Sequence, residues 1–183
     1  MANCSIYACD DLGTYESSIA NCGSKIRKSG AATMYLLECG YEPNDPGDEA
    51  ELDQAVADGD AYKITNVKIG FSQPSEITED AITSCGTTVT VDYDRQVNIE
   101  DYKVTALNTA FWNSASNRPF GGMVLVECET EGLDPLVSYI DKEITISFYR
   151  DFPNVSSSPQ KYIITAKYKS YSDPESLEFT PAP

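Results

Sequence analysis

The chain uses one short apolar strand pattern twice, as Met34-Tyr-Leu-Leu-Glu-Cys39 and as Met123-Val-Leu-Val-Glu-Cys128. The likeness runs on into the following turns, where Met, Leu, Glu, Cys, Glu, Asp and Pro coincide without a gap at seven of thirteen positions. Matches of that density at one fixed offset predict duplication of a supersecondary unit. Two copies are too few for a solenoid, which needs about three or more repeats. They predict two related halves of one β-structure instead.

Each copy follows a Ser-, Asn- and Gly-rich stretch, residues 21–30 and 113–122, and precedes a further strand, at 62–71 and 143–149. In the second of these, Ile144, Ile146 and Phe148 alternate with Thr145, Ser147 and Tyr149. That is the period of a strand with one buried face, so a hairpin-like pairing of each repeat with the strand after it is expected. Residues 87–93 and 161–168 are β-branched or aromatic runs bounded by turn residues and read as strands too. Residues 151–160 then form a long hairpin connection with an exposed tip.

Two helices interrupt the strands. Residues 48–58 carry a capping Asp48, acids in the first turn, an inward stripe of Leu52, Ala55 and Val56, and a stop at Gly59. Residues 102–114 place Val104, Leu107, Ala110 and Phe111 at helical spacing after a cap at Asp101. The fold expected is mainly β: an antiparallel sandwich or barrel-like sheets with one or two short helices. It reads as one compact unit with a Cys-bearing, strand-helix-strand half over 1–75 and a second half over 76–183 holding the repeated strand pair and the tail.

Composition agrees with strands over long helices. The 183 residues are 41% hydrophobic, with twelve Tyr and six Phe. Charge narrows the partners: 29 acidic against 13 basic residues give a net charge of −16, which repels nucleic acid and anionic membrane alike. The first ten residues have neither a basic nor an apolar region of a leader, and no stretch approaches the ~18 apolar residues of a membrane span. A cytoplasmic site of synthesis is expected, with the cysteines reduced or metal-bound in preference to disulfides.

Histidine is absent, which removes Ser-His-Asp and Cys-His catalysis and His-ligated metals. No nucleophile elbow, Walker loop, dinucleotide turn or EF-hand loop is present. Asp92 with Asp94, and Glu127 with Glu129, are carboxylate pairs on shared strand faces, read as solvated faces in so acidic a chain. Cys4, Cys9, Cys22 and Cys39 could close a tetrahedral zinc site, although they lack the Cys-x2-Cys knuckle. Disulfides formed on release, or buried free thiols, remain open beside it, and Cys39 and Cys128 are read as core residues at equivalent strand ends. No cofactor is expected. Phe111 and Trp112 are either an interface anchor or a plug of the chain's own core.

The N-terminal Asn3-Cys-Ser-Ile-Tyr-Ala-Cys9, the Met-x-Leu-x-Glu-Cys strands and the missing histidine resemble small virion structural proteins of tailed bacteriophages, those of the crAss-like phages of gut bacteria most of all. The resemblance implies a non-enzymatic assembly protein of the virion, made in the bacterial host cytoplasm. It implies a homo-oligomer or high-copy component whose partners are other virion proteins such as a major capsid protein. It carries over no site residue. Within it, the acidity points to an auxiliary position on the capsid exterior, with a tail or neck component as the alternative. Strand edges and the two termini are the expected contact elements. A secreted Cys-rich binding module is the competing class, and a free-thiol count on denatured protein separates the two.

Overall fold

A computed structural model describes residues 31–80, 88–127, 135–152 and 159–182. The chain forms one antiparallel sheet of ten strands with two short helices. In chain order these are β1 (Ala31–Leu37), α1 (Glu49–Asp58), β2 (Ala61–Phe71), β3 (Ser75–Asp80), β4 (Thr88–Asp101), α2 (Ala106–Ala115), β5 (Pro119–Phe120), β6 (Gly122–Glu127), β7 (Leu136–Ile140), β8 (Ile144–Asp151), β9 (Lys161–Lys169) and β10 (Glu175–Glu178). The strands lie in the order β10-β7-β6-β1-β2-β4-β9-β8-β5, with β3 pairing β4 off that path.

This sheet is rolled. β5 pairs β8 at one end of the order, whereas β6 pairs β1 near the other, and Gly121 alone separates β5 from β6. The Gly121 amide donates to Leu37 O at 2.8 Å, and a Cβ there would stand 2.7 Å from Glu38 O. No side chain fits at that crossing, which draws the far edge of the sheet onto its centre. The enclosed core takes Met34 and Leu36 from β1, Met123 and Leu125 from β6, and Ile144, Ile146 and Ile164 from β8 and β9.

The two repeated strands are neighbours and pair antiparallel about their own midpoint. Tyr35 faces Val124, its counterpart in the repeat, while Met34 faces Leu125 and Leu36 faces Met123. β1 pairs next with β2 and β6 with β7, so Met34 has Ile64 beside it and Met123 has Ile140. The expected partner for the second repeat is thereby corrected: it is β7, and the strand at 144–151 pairs β9 and β5. Residues 143–149 were the stronger strand pattern because one face is solvated, but Leu136–Ile140 is near enough in sequence to close first on β6.

β2 changes the phase of its apolar residues midway, from Tyr62 and Ile64 to Val67 and Ile69, and all four pack on the same core. A bulge between them accounts for this. The register slips between Ala32 and Met34, and Asn66 takes φ 58°, a left-handed conformation that Asn tolerates.

On the other face, α1 covers a second core of Tyr35, Leu37, Leu52, Ala55, Ala61, Val124, Val126 and Val137. The Asp48 side chain accepts from Ala50 N, and Gly59 ends the helix at φ 88° with its amide on the last turn. α2 departs from expectation. Thr105 is its cap, accepting from Asn108 N, and Asp101 belongs to β4. The inward residues are Trp112 and Ala115, whereas Leu107 is 83% exposed. Asp101 is the reason: its buried carboxylate accepts from Lys103 N at 2.8 Å and from the Trp112 indole at 3.2 Å, so Trp112 must face the sheet. The C-terminal segment docks on its own chain at Thr180, whose O accepts from Glu49 N at 2.9 Å and whose N donates to Gly47 O at 2.8 Å.

Candidate interaction surfaces

Those of the residues singled out from the sequence that are described do not gather in one place. Cys4, Cys9, Cys22 and Cys128 lie outside the described residues. Cys39 is an exposed free thiol in the turn after β1, its Sγ 3.7 Å from Pro119 O, which corrects the expectation of a core position. The buried run ends two residues earlier at Leu37, and the chain then turns through Gly40 at φ 94°. Among the described residues no group of three or more His, Cys, Asp or Glu side chains could hold a metal ion. Asp92 is half-buried and accepts from its neighbour Tyr93 N at 2.8 Å, Asp94 is exposed, and Glu127 ends β6 with Glu129 outside the described residues. Trp112 sits 1% exposed in the enclosed core, and Phe111 is half-buried between it and Tyr62, with ring centroids at 5.0 and 5.6 Å.

The charged clusters that do form tie the chain's own elements together. At the closure of the roll, Arg118 Nη2 donates to Glu38 Oε1 at 2.6 Å and to the Tyr62 hydroxyl at 2.8 Å, while Tyr62 donates to Glu38 at 2.7 Å. The guanidinium also lies 5.2 Å from the Tyr62 ring and 5.0 Å from that of Phe120. On the opposite face Lys63 Nζ donates to Asp53 at 2.7 Å and Glu49 at 3.2 Å, and the Tyr35 hydroxyl donates to Asp53 at 3.0 Å. Burial pushes the Tyr35 hydroxyl up to about 12. Burial alone would lower Lys63, but its bonds to Asp53, Tyr35 and Glu49 outweigh that and hold it above its ordinary value.

Two of the concavities among the described residues are large and open outward. One of about 520 Å³ lies between α2 and β2, with Val56, Ile64, Leu107 and Phe111 as its apolar lining and Lys63 and Lys103 at its margin. The other, about 740 Å³, spans the outer face of β8, β9 and β4 and holds Lys142, Lys167 and Lys169 together with the acids Asp94 and Glu143 and the neutral Gln96 and Thr145. Cross-strand pairing builds this second surface, because Lys167 stands between Thr145 and Gln96 and Lys169 stands opposite Asp94. Sequence reading missed it. Its signal was present: Lys167 and Lys169 occupy the outward positions of a strand whose inward ones are Tyr162, Ile164, Ala166 and Tyr168.

β3 and the first part of β4 make a further surface. β9 pairs β4 only from Asp94 to Asp101, and β2 pairs it only from Val97 to Glu100; beyond Tyr93, whose O accepts from Ser170 N at 3.2 Å, residues 88–92 have β3 as their sole strand partner among the described residues. The result is a two-stranded ribbon running about 20 Å past the end of β9, at roughly 3.3 Å per residue.

No protein-family model matches the chain, and no curated protein does. Among solved structures, it is similar to a chain in the cryo-EM structure of the anti-feeding prophage baseplate, 6-fold symmetrised, with a TM-score of 0.39 and 11% identity over 85% of this chain and 97% of that one.

Proposed function

We propose that the chain is a non-catalytic structural subunit of a phage-type particle, used in many copies and placed on an outward surface away from packaged DNA. The observation that carries this reading is the projecting ribbon, whose two outer edges are paired with no strand among the described residues, on a strongly acidic chain. A ribbon of two strands is marginal by itself in water. An open edge is also a template for pairing with another chain, and single-domain proteins normally cover or blunt it. An assembly supplies a cover that the described residues of the chain do not.

The net charge of −16 opposes contact with DNA, which excludes a lumen or conducting channel. The same condition is met by the outside of a shell and by the outside of a tail, neck or baseplate. Charge therefore gives the capsid exterior no preference over a tail position, and the proposal is the particle exterior in either place. The sequence resemblance to virion structural proteins supports the particle itself.

Quantitative mass spectrometry of the purified particle, intact and after separation of shells from tails, tests this. The chain is expected at several copies per particle, confined to one fraction and retained after nuclease treatment. Absence from the particle, or release with the nucleic acid, would overturn the proposal.

A further inference from the structure

We propose that α2 packs antiparallel on α2 of a second copy of this chain, about a two-fold axis beside Leu107, the Leu107 of each copy entering the groove between α2 and β2 of the other. The inference rests on the multi-copy reading above and names one contact within it.

At 83%, Leu107 is the most exposed large apolar side chain among the described residues. It stands at the wall of the 520 Å³ groove, whose apolar lining includes Val56, Ile64 and Phe111, so a knob and a hole lie side by side on one face. An exposed apolar patch with a polar rim marks a protein contact. The outward positions around Leu107 are short side chains, Ala106, Ala110, Asn113 and Ser114, which leave room for a second helix. The groove runs from Lys103, bonded to Thr65, to Phe111, packed on Tyr62, and Leu107 stands midway along α2 between them. A two-fold axis at that midpoint puts each knob in the partner's hole, because an isologous contact repeats every pairing in reverse.

Charge argues for a second copy as the occupant. Two chains of net charge −16 repel over most of their surfaces, yet the 14 residues from Val104 to Asn117 are the longest run in the sequence without Asp, Glu, Lys or Arg. Like elements can therefore meet there. The ends of the groove are also complementary to each other. At one end Lys103 Nζ donates to Thr65 O and Oγ1 at 3.0 and 2.9 Å and forms no ion pair among the described residues. The acid in the lining, Asp101, is buried and already accepts from Lys103 N and the Trp112 indole. At the other end Asp58 and Asp60 flank Gly59, both exposed and neither paired with a described cation, and the last turn of α1 holds no basic residue. The two-fold exchanges these ends, so Lys103 of each copy faces the acids at the end of α1 in the other, which fixes the register of the pair. One ten-residue helix is about 15 Å long, so the contact is small and the dimer weak by itself.

The test uses the full chain at the highest soluble concentration, with unlabelled and 15N-labelled preparations mixed and joined by zero-length carbodiimide coupling of carboxylate to amine. A concentration-dependent dimer by sedimentation equilibrium is expected, with isotope-mixed peptides linking Lys103 to Asp58 or Asp60. Leu107→Glu should weaken the dimer at least tenfold while the urea midpoint of the dilute chain stays unchanged, since Leu107 lies outside both cores. Lys103→Glu should also weaken it, and Asp60→Lys added on the same chain should restore it, which keeps the test independent of any one variant's folding. A strictly monomeric chain, Lys103 links confined to its own copy or to other residues, a dimer unchanged by Leu107→Glu, or no recovery in the reversed pair would each overturn the inference. Presence of the chain in the particle would survive any of these results, so failure of the contact and failure of the assembly reading are separable.

Discussion

β1 and β6 are buried on both faces, whereas β4, β9 and β8 are buried on one. In β1, Met34, Tyr35, Leu36 and Leu37 are each 0% exposed, alternate residues entering opposite cores. In β9, Tyr162, Ile164, Ala166 and Tyr168 are buried while Lys167 and Lys169 are exposed. The strands share hydrogen-bond geometry and differ in what covers them: α1 and the C-terminal segment lie over the second face at β1 and β6, and nothing described lies over the outer face of β9. A continuous apolar run thus marks a strand that holds the molecule together, and an alternating one a strand with a face to spare for partners.

The sharpest test of that contrast truncates neighbouring residues. Leu36→Ala and Leu37→Ala should each cost about 2–5 kcal/mol, because each leaves a cavity in a different core. On β8, the outward Ser147→Ala should stay within about 0.5 kcal/mol. Urea denaturation midpoints decide it, and a tolerated Leu37→Ala would mean that α1 does not seal its face.

A smaller effect is expected at Asp101, the link between the one-sided strands and α2. Asp101→Ala strands the Trp112 indole donor in the core and should cost about 1–3 kcal/mol. Pairing it with Trp112→Phe, which removes the stranded donor, should recover part of that loss in a double-mutant cycle. Additive losses would show that the bond contributes nothing to placing the helix.

The smallest effect is in acid. Burial alone would raise Glu51, but the amides of Asn44 and Asp45 at 2.7 and 2.9 Å hold it below its ordinary value of 4.5. Bonds from Lys161 and Tyr102 lower Glu100 likewise. A carboxyl lower in the folded state contributes stability that is complete above its unfolded value and is lost as pH falls through the folded one. Both groups are partly solvated, so Glu51→Gln should remove less than about 1 kcal/mol at neutral pH and flatten the decline below about pH 4.5. An unchanged acid limb would mean that the loop before α1 is held by other contacts.

Much of this was legible. The twin strands, α1 with its cap and stop, and the strands at 62–71, 143–149 and 161–168 all stand close to where pattern placed them, because each carries its own period or its own terminators. β3, β7 and β10 were not seen; they are short or polar edge elements, such as Glu175–Glu178, whose strand character comes from the partner. The face of α2 was misread since the apolar spacing of Leu107 and Ala110 outweighed one buried carboxylate that no periodicity can announce.

By itself the sequence determined the strands that carry their own apolar period, that a pattern is used twice, that the chain is acidic and that histidine chemistry is absent. These are local or additive properties, readable one residue at a time. Only the tertiary structure decided that the two repeats pair with each other about Tyr35 and Val124, that β7 and not β8 completes the second, and that Lys167 and Lys169 meet in one concavity beside a free ribbon. Those depend on register and on how the sheet rolls at Gly121, where distant segments choose among partners whose local propensities are nearly alike.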